Sequence, residues 1–89
     1  MSIKLVTYDL RKPGRNYQRV YDYLKKFTYC KGMESVWLLD TTTTCKKIRD
    51  DLESLVDSND IIFVVKITRD WASFNYSCAD WLKRDSRNF

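Results

Sequence analysis

The stretch Ile61-Ile62-Phe63-Val64-Val65-Lys66-Ile67 reads as a β-strand with apolar side chains on both faces. Successive strand residues point to opposite sides, so Ile61, Phe63, Val65 and Ile67 share one face while Ile62 and Val64 share the other. Asp57-Ser58-Asn59-Asp60, a run of turn-forming residues, bounds it on the N-terminal side. Ile3 to Asp9 has the same two-sided character, with Ile3 and Leu5 opposing Val6 and Tyr8. Such strands look central to a sheet, and both faces of that sheet need cover.

Helical spacing fills the intervals. Tyr17, Val20, Tyr21, Leu24 and Phe27 fall on one face of a helix, for which Asn16 is an N-cap. Leu10-Arg11-Lys12-Pro13-Gly14 is the turn that leads into it. Cys45, Ile48, Leu52, Leu55 and Val56 form a second stripe, capped by Thr43 or Thr44. Between the helices, Thr28 to Lys31 reads as a short strand, followed by a tight turn near Gly32. Ser35 to Asp40 is a stronger strand centred on Val36-Trp37-Leu38-Leu39. Residues 68–89 form a tail with a short helix around Cys78 to Arg84.

The order is β-α-β-β-α-β plus a tail. In 89 residues this is one α+β domain, a ferredoxin-like sandwich with a four-stranded antiparallel sheet and two helices on one face. The other sheet face remains to be covered, by the tail, by a second copy of the chain, or by both. Isologous pairs are the commonest oligomers, so a homodimer is the economical expectation. Ile3, Leu5, Trp71, Phe74 and Trp81 are its candidate interface residues.

Composition narrows the chemistry. The chain has no histidine, which excludes imidazole bases and histidine-ligated zinc. Carboxylate-held metal is the main enzymatic route left. Cys30, Cys45 and Cys78 fit no zinc spacing and are expected to be reduced, mostly buried thiols of a cytoplasmic protein. The N-terminus is expected to enter a strand directly, without a signal peptide, and no apolar run approaches the ~20 residues of a membrane helix. The net charge of +4 permits nucleic-acid contact without requiring it.

Three motifs carry a resemblance. Tyr8-Asp9-Leu10-Arg11-Lys12-Pro13-Gly14 with Tyr17 looks like the opening YDLxKPGxxY of SinR-like proteins. Ser35-Val36-Trp37 is similar to a strand of the Cas-two family, and Asp57-Ser58-Asn59-Asp60 matches the DSND that precedes the last strand. The resemblance covers most of residues 3 to 83. It implies a ferredoxin-like homodimer in a CRISPR-associated, antiviral-defence setting. It also implies either a Mg²⁺-dependent endonuclease acting on RNA or DNA or a DNA-binding scaffold.

Under that resemblance Asp9 is the catalytic residue and metal ligand, contributed once by each subunit. Arg11, Lys12, Arg15 and Lys31 are the candidate nucleic-acid contacts. The sequence departs from the family pattern at Met33, where a glutamine is usual, and at Lys31, where an arginine is usual. Without the resemblance, Asp9 reads first as an aspartate that closes the strand by accepting hydrogen bonds from the following turn. Asp40 and Asp60, at other strand ends, read as turn residues before metal helpers. The alternative to an enzyme is a non-catalytic module of the same fold, binding nucleic acid or a protein as a scaffold, regulator or defence-system inhibitor.

Overall fold

The computed structural model of the chain describes residues 2–11, 17–87 and 89. Its elements run β1 (Ser2–Asp9), α1 (Tyr17–Leu24), β2 (Thr28–Met33), β3 (Val36–Thr41), α2 (Cys45–Glu53), β4 (Ile61–Ile67) and α3 (Ala79–Lys83). The strands form one four-stranded sheet in the order β2-β3-β1-β4. Every neighbouring pair is antiparallel. This is the expected α+β, ferredoxin-like arrangement.

The helical side holds the larger core. Val6 and Tyr8 of β1, Trp37 and Leu39 of β3, Val20 and Leu24 of α1, and Ile48 and Leu52 of α2 are all buried there. Val20 and Leu24, and Ile48 and Leu52, are the stripe positions that the helices bury; Tyr17 is exposed and Cys45 half-buried, while Phe27, Leu55 and Val56 lie past the helix ends and pack against this core. Thr44 caps α2, its hydroxyl accepting from the Lys47 amide at 3.1 Å. The Asn16 cap of α1 lies outside the described residues.

Two expectations need correction. The strand Ile61–Ile67 looks central by composition but lies at the sheet edge, with β3 and β1 in the middle. The turn between β2 and β3 falls at Glu34-Ser35, not near Gly32. Gly32 sits inside β2, where the register slips between Lys31 and Met33. A methyl at Gly32 would overlap the Tyr76 ring and stand 3.0 Å from Cys78 Sγ. Glycine serves here as a close-approach position between the strand and the tail rather than as a turn former.

That tail covers part of the second sheet face. Ile3 and Leu38 pack under Cys78, Trp81 and Leu82, with Leu5, Cys30, Ile67, Trp71 and Tyr76 around them. The turn that brings Tyr76 down passes through Asn75 at φ 57°, the left-handed region that asparagine tolerates better than most residues. Arg87 then reaches back to Asp40, with Nη1 3.0 Å from Oδ2 and both side chains buried. Asp40 is therefore neither a turn residue nor a free carboxylate.

The cysteine expectation is overturned as well. Cys30 of β2 and Cys78 at the start of α3 form a disulfide with a Cα–Cα distance of 6.0 Å, across 48 positions of sequence. Their spacing in the chain carried no sign of this, because the pairing depends on where the tail lands. Cys45 is free and half-buried.

Candidate functional site

Asp9 is the last residue of β1 and lies opposite Ile61 of β4. Strand alternation places it with Ile3, Leu5 and Thr7 on the sheet face away from the two main helices. The tail covers the Ile3 end of that face and leaves the Asp9 end open. Asp9 is exposed, as are Ile61, Phe63 and Val65 on the neighbouring strand. Its side chain is 65% accessible, with Arg11 Nη1 3.8 Å from Oδ2. At this distance and exposure the pair is loose, and solvent screens most of its attraction.

Among the described residues, the carboxylate that accepts from backbone amides beside Asp9 is that of Asp60. Its Oδ1 accepts from the Arg11 amide at 2.9 Å and its Oδ2 from the Asp57 amide at 2.8 Å. Asp60 thus ties the start of β4 to the exit of β1 and holds both strand ends beside the Asp9 carboxylate.

The basic residues divide. Arg11 is exposed next to Asp9. Lys12 and Arg15 lie outside the described residues. Lys31 is not near Asp9: it pairs across β2–β3 with Trp37, on the helix-bearing face. Its Nζ stands 4.5 Å from the centroid of Tyr21 and 5.4 Å from that of Trp37. An ammonium over these ring faces gains cation–π attraction. Met33 is exposed at the end of β2.

The candidate interface residues also divide. Ile3 and Trp81 are buried against one another's surroundings within the single chain. Leu5 and Trp71 are half-buried, and Phe74 is 89% exposed.

Around Trp37 the aromatic rings form a chain. Tyr8–Tyr17, Tyr17–Tyr21, Tyr21–Trp37 and Trp37–Tyr29 centroids are 6.3, 5.9, 5.7 and 5.1 Å apart. The indole Nε1 of Trp37 donates to Tyr8 Oη at 3.2 Å. Burial pushes the Tyr8 phenol up to about 12, with the Trp37 hydrogen bond acting in the opposite sense. Tyr8 therefore stays neutral at ordinary pH and acts as a structural acceptor.

A hard cation such as Mg²⁺ keeps several waters and takes one or two carboxylates together with substrate phosphate. Among the described residues no group of three or more His, Cys, Asp or Glu side chains gathers within one chain. The exposed oxygen donor at Asp9 suits such an ion chemically, but one chain supplies that position a single carboxylate.

The model of the CRISPR associated protein Cas2 family matches residues 1–73. The chain belongs to the Cas2 family. The match takes in all four strands, α1 and α2, and ends before Cys78 and α3. In this Cas2-family chain the residues that pin the tail to the sheet therefore straddle the edge of the family match: Cys30 and Asp40 lie within it, Cys78 and Arg87 beyond it. No solved structure gives a significant match. Among the described residues, no helix is long and apolar enough to cross a membrane.

Proposed function

We propose that this Cas2-family chain acts as a homodimer on nucleic acid, as a Mg²⁺-dependent phosphodiesterase cleaving RNA or DNA in the cytoplasm. The observation that carries this reading is the position of Asp9. An exposed carboxylate ends a central strand, on the uncovered part of a sheet face whose adjoining side chains are Ile61 and Phe63. Exposed isoleucine and phenylalanine beside an accessible acid are costly for a monomer and suit a face that receives a second copy. Two copies meeting there would bring a second Asp9 to the first.

Within such a pair, Asp9 of each chain would hold the ion. When bound, Mg²⁺ polarises a phosphate oxygen and lowers the pKa of its water. Arg11, beside Asp9, would contact a substrate phosphate once the carboxylate is engaged. Asp60 would position both strand ends through the Arg11 and Asp57 amides.

The competing reading is a scaffold that binds nucleic acid without cutting it. It is favoured by Lys31, which faces Tyr21 and Trp37 on the other side of the sheet from Asp9. Cleavage assays on single-stranded RNA and duplex DNA, with Mg²⁺ or with EDTA, separate the two. Cleavage that needs Mg²⁺ and falls at least ~10²-fold in Asp9→Asn is the expected result. Cleavage that survives Asp9→Asn removes the metal-site mechanism. Salt-sensitive binding with no cleavage under any condition establishes the scaffold.

A further inference from the structure

The apolar face of the sheet is one continuous surface with two different fates. Cross-strand register places Ile3 beside Ile67, Leu5 beside Val65 and Thr7 beside Phe63 on that face. The Ile3 end lies under Trp81 and Leu82 of the tail, whereas Phe63 and Ile61 at the other end are 58% and 48% exposed. The tail and any second copy therefore meet on the same face.

One covalent bond and one small apolar cluster hold the tail there. The Cys30–Cys78 bond joins edge strand β2 to the residue that opens α3. The non-covalent seat is Trp81 and Leu82 packed on Ile3 and Leu38, with Arg87 bonded to Asp40 and to the Trp81 carbonyl. Helix α3 has five residues. Among the described residues, the buried Asp40–Arg87 pair leaves Asp40 Oδ1 without a hydrogen-bond partner. A buried ion pair with an unsatisfied oxygen returns little of its desolvation cost, so water regains both groups readily once the tail lifts. Phe74, between β4 and the disulfide, is almost fully exposed.

We propose that the Cys30–Cys78 disulfide is a thiol-sensitive latch that decides whether the tail or a second copy occupies the sheet face. The inference rests on the homodimer reading above and adds its regulation. Cys30 is half-buried and Cys78 fully buried, so an incoming small-molecule thiolate meets Cys30 first. Its sulfur bonds to Cys30 Sγ as the Sγ–Sγ bond breaks, and Cys78 leaves as a thiolate that takes up a proton. A second thiol resolves the mixed disulfide. The protein gains two thiols, and two equivalents of the small thiol leave as its disulfide. Thiol donors of this class keep the cytosol reducing, so the open form is the one favoured there.

The full chain tests this in oxidised form and after dithiothreitol, with thiol titration confirming each state. Amide hydrogen exchange reports on α3, where the Leu82 amide donates to the Cys78 carbonyl at 3.0 Å. Sedimentation across concentration reports on association. Reduction is expected to speed α3 exchange by on the order of 10²–10³-fold, the population shift that a long-loop crosslink withholds. The dimer dissociation constant is expected to fall at least ~10-fold over the same change. The pair Cys30→Ser with Cys78→Ser should behave as the reduced chain without any reductant. Unchanged amide exchange at Val20 and Leu24 of α1 and at Ile48 and Leu52 of α2 verifies that the helical-side core persists in each sample.

Reduced protein that keeps its α3 protection overturns the latch and leaves the homodimer reading untouched. A freed tail with unchanged dimer affinity overturns control of association while homodimerisation stands. A freed tail on a chain that stays monomeric at every concentration overturns both.

Discussion

Arg87 Nη1 lies 3.0 Å from Asp40 Oδ2, and the same guanidinium donates through Nε to the Trp81 carbonyl at 3.1 Å and stacks 4.0 Å above the Trp81 ring. One side chain near the C-terminus thus joins a central strand to the tail helix. Breaking such a pair from one side strands a buried charge. Arg87→Met is therefore expected to cost about 3 kcal/mol in urea unfolding, and Asp40→Leu combined with Arg87→Met to recover most of that loss. A double variant no more stable than Arg87→Met would show that Asp40 is not the group left unpaired.

Gly32→Ala tests the close approach of tail and strand. The added methyl would overlap the Tyr76 ring, so the tail has to lift. The expected cost is about 1–3 kcal/mol by thermal or urea unfolding. In the Cys30→Ser, Cys78→Ser background the tail has room to move, and the penalty should shrink by more than half. An equal penalty in both backgrounds would place the clash elsewhere.

The element order was legible because helical and strand periodicities are local: the Val20–Leu24 and Ile48–Leu52 stripes name their own faces. Two-sided apolarity in Ile3–Asp9 and Ile61–Ile67 correctly signalled a sheet needing cover on its second side. What covers it was not legible. Cys30–Cys78 and Asp40–Arg87 join positions 48 and 47 residues apart. Nothing local distinguishes a strand-end aspartate that turns the chain from one that waits for a distant arginine. Gly32 misled for a related reason: glycine signals a turn and a close approach alike. Asp9 stood out through the resemblance of its motif, whereas Asp60, which organises the ends of β1 and β4, looked like any other turn aspartate.

Alkaline pH should weaken the fold. The Tyr8 phenol is raised from 10.0 to about 12, chiefly by burial, and burial raises Tyr76 in the same direction. Tyr23 is also raised, by burial and by its hydrogen bond to Asp51. A raised phenol pKa means that the folded chain retains protons the unfolded chain has released. This contribution is complete below the unfolded value of 10.0 and is lost as pH climbs toward about 12. Urea midpoints should hold level up to pH 10 and then fall, with a shallower fall in Tyr8→Phe. A midpoint that rises in this window would contradict the assignment.

Removing the Thr44 hydroxyl takes a hydrogen bond from the Lys47 amide at the start of α2. Thr44→Ala is expected to lower stability by about 1 kcal/mol, while Thr44→Ser or Thr44→Asp should preserve it. Loss of stability in Thr44→Ser equal to that in Thr44→Ala would mean that the cap is not the source.

The account depends on two Asp9 carboxylates serving one ion. The most direct measurement is their separation in a crystal structure of the reduced chain grown with Mg²⁺ or Mn²⁺. Oxygens sharing one Mg²⁺ at ~2 Å each lie within ~4 Å of one another, and a dimer with one oxygen from each Asp9 at that spacing is the predicted result. A dimer that buries Ile61 and Phe63 yet holds the two carboxylates more than about 10 Å apart would contradict it.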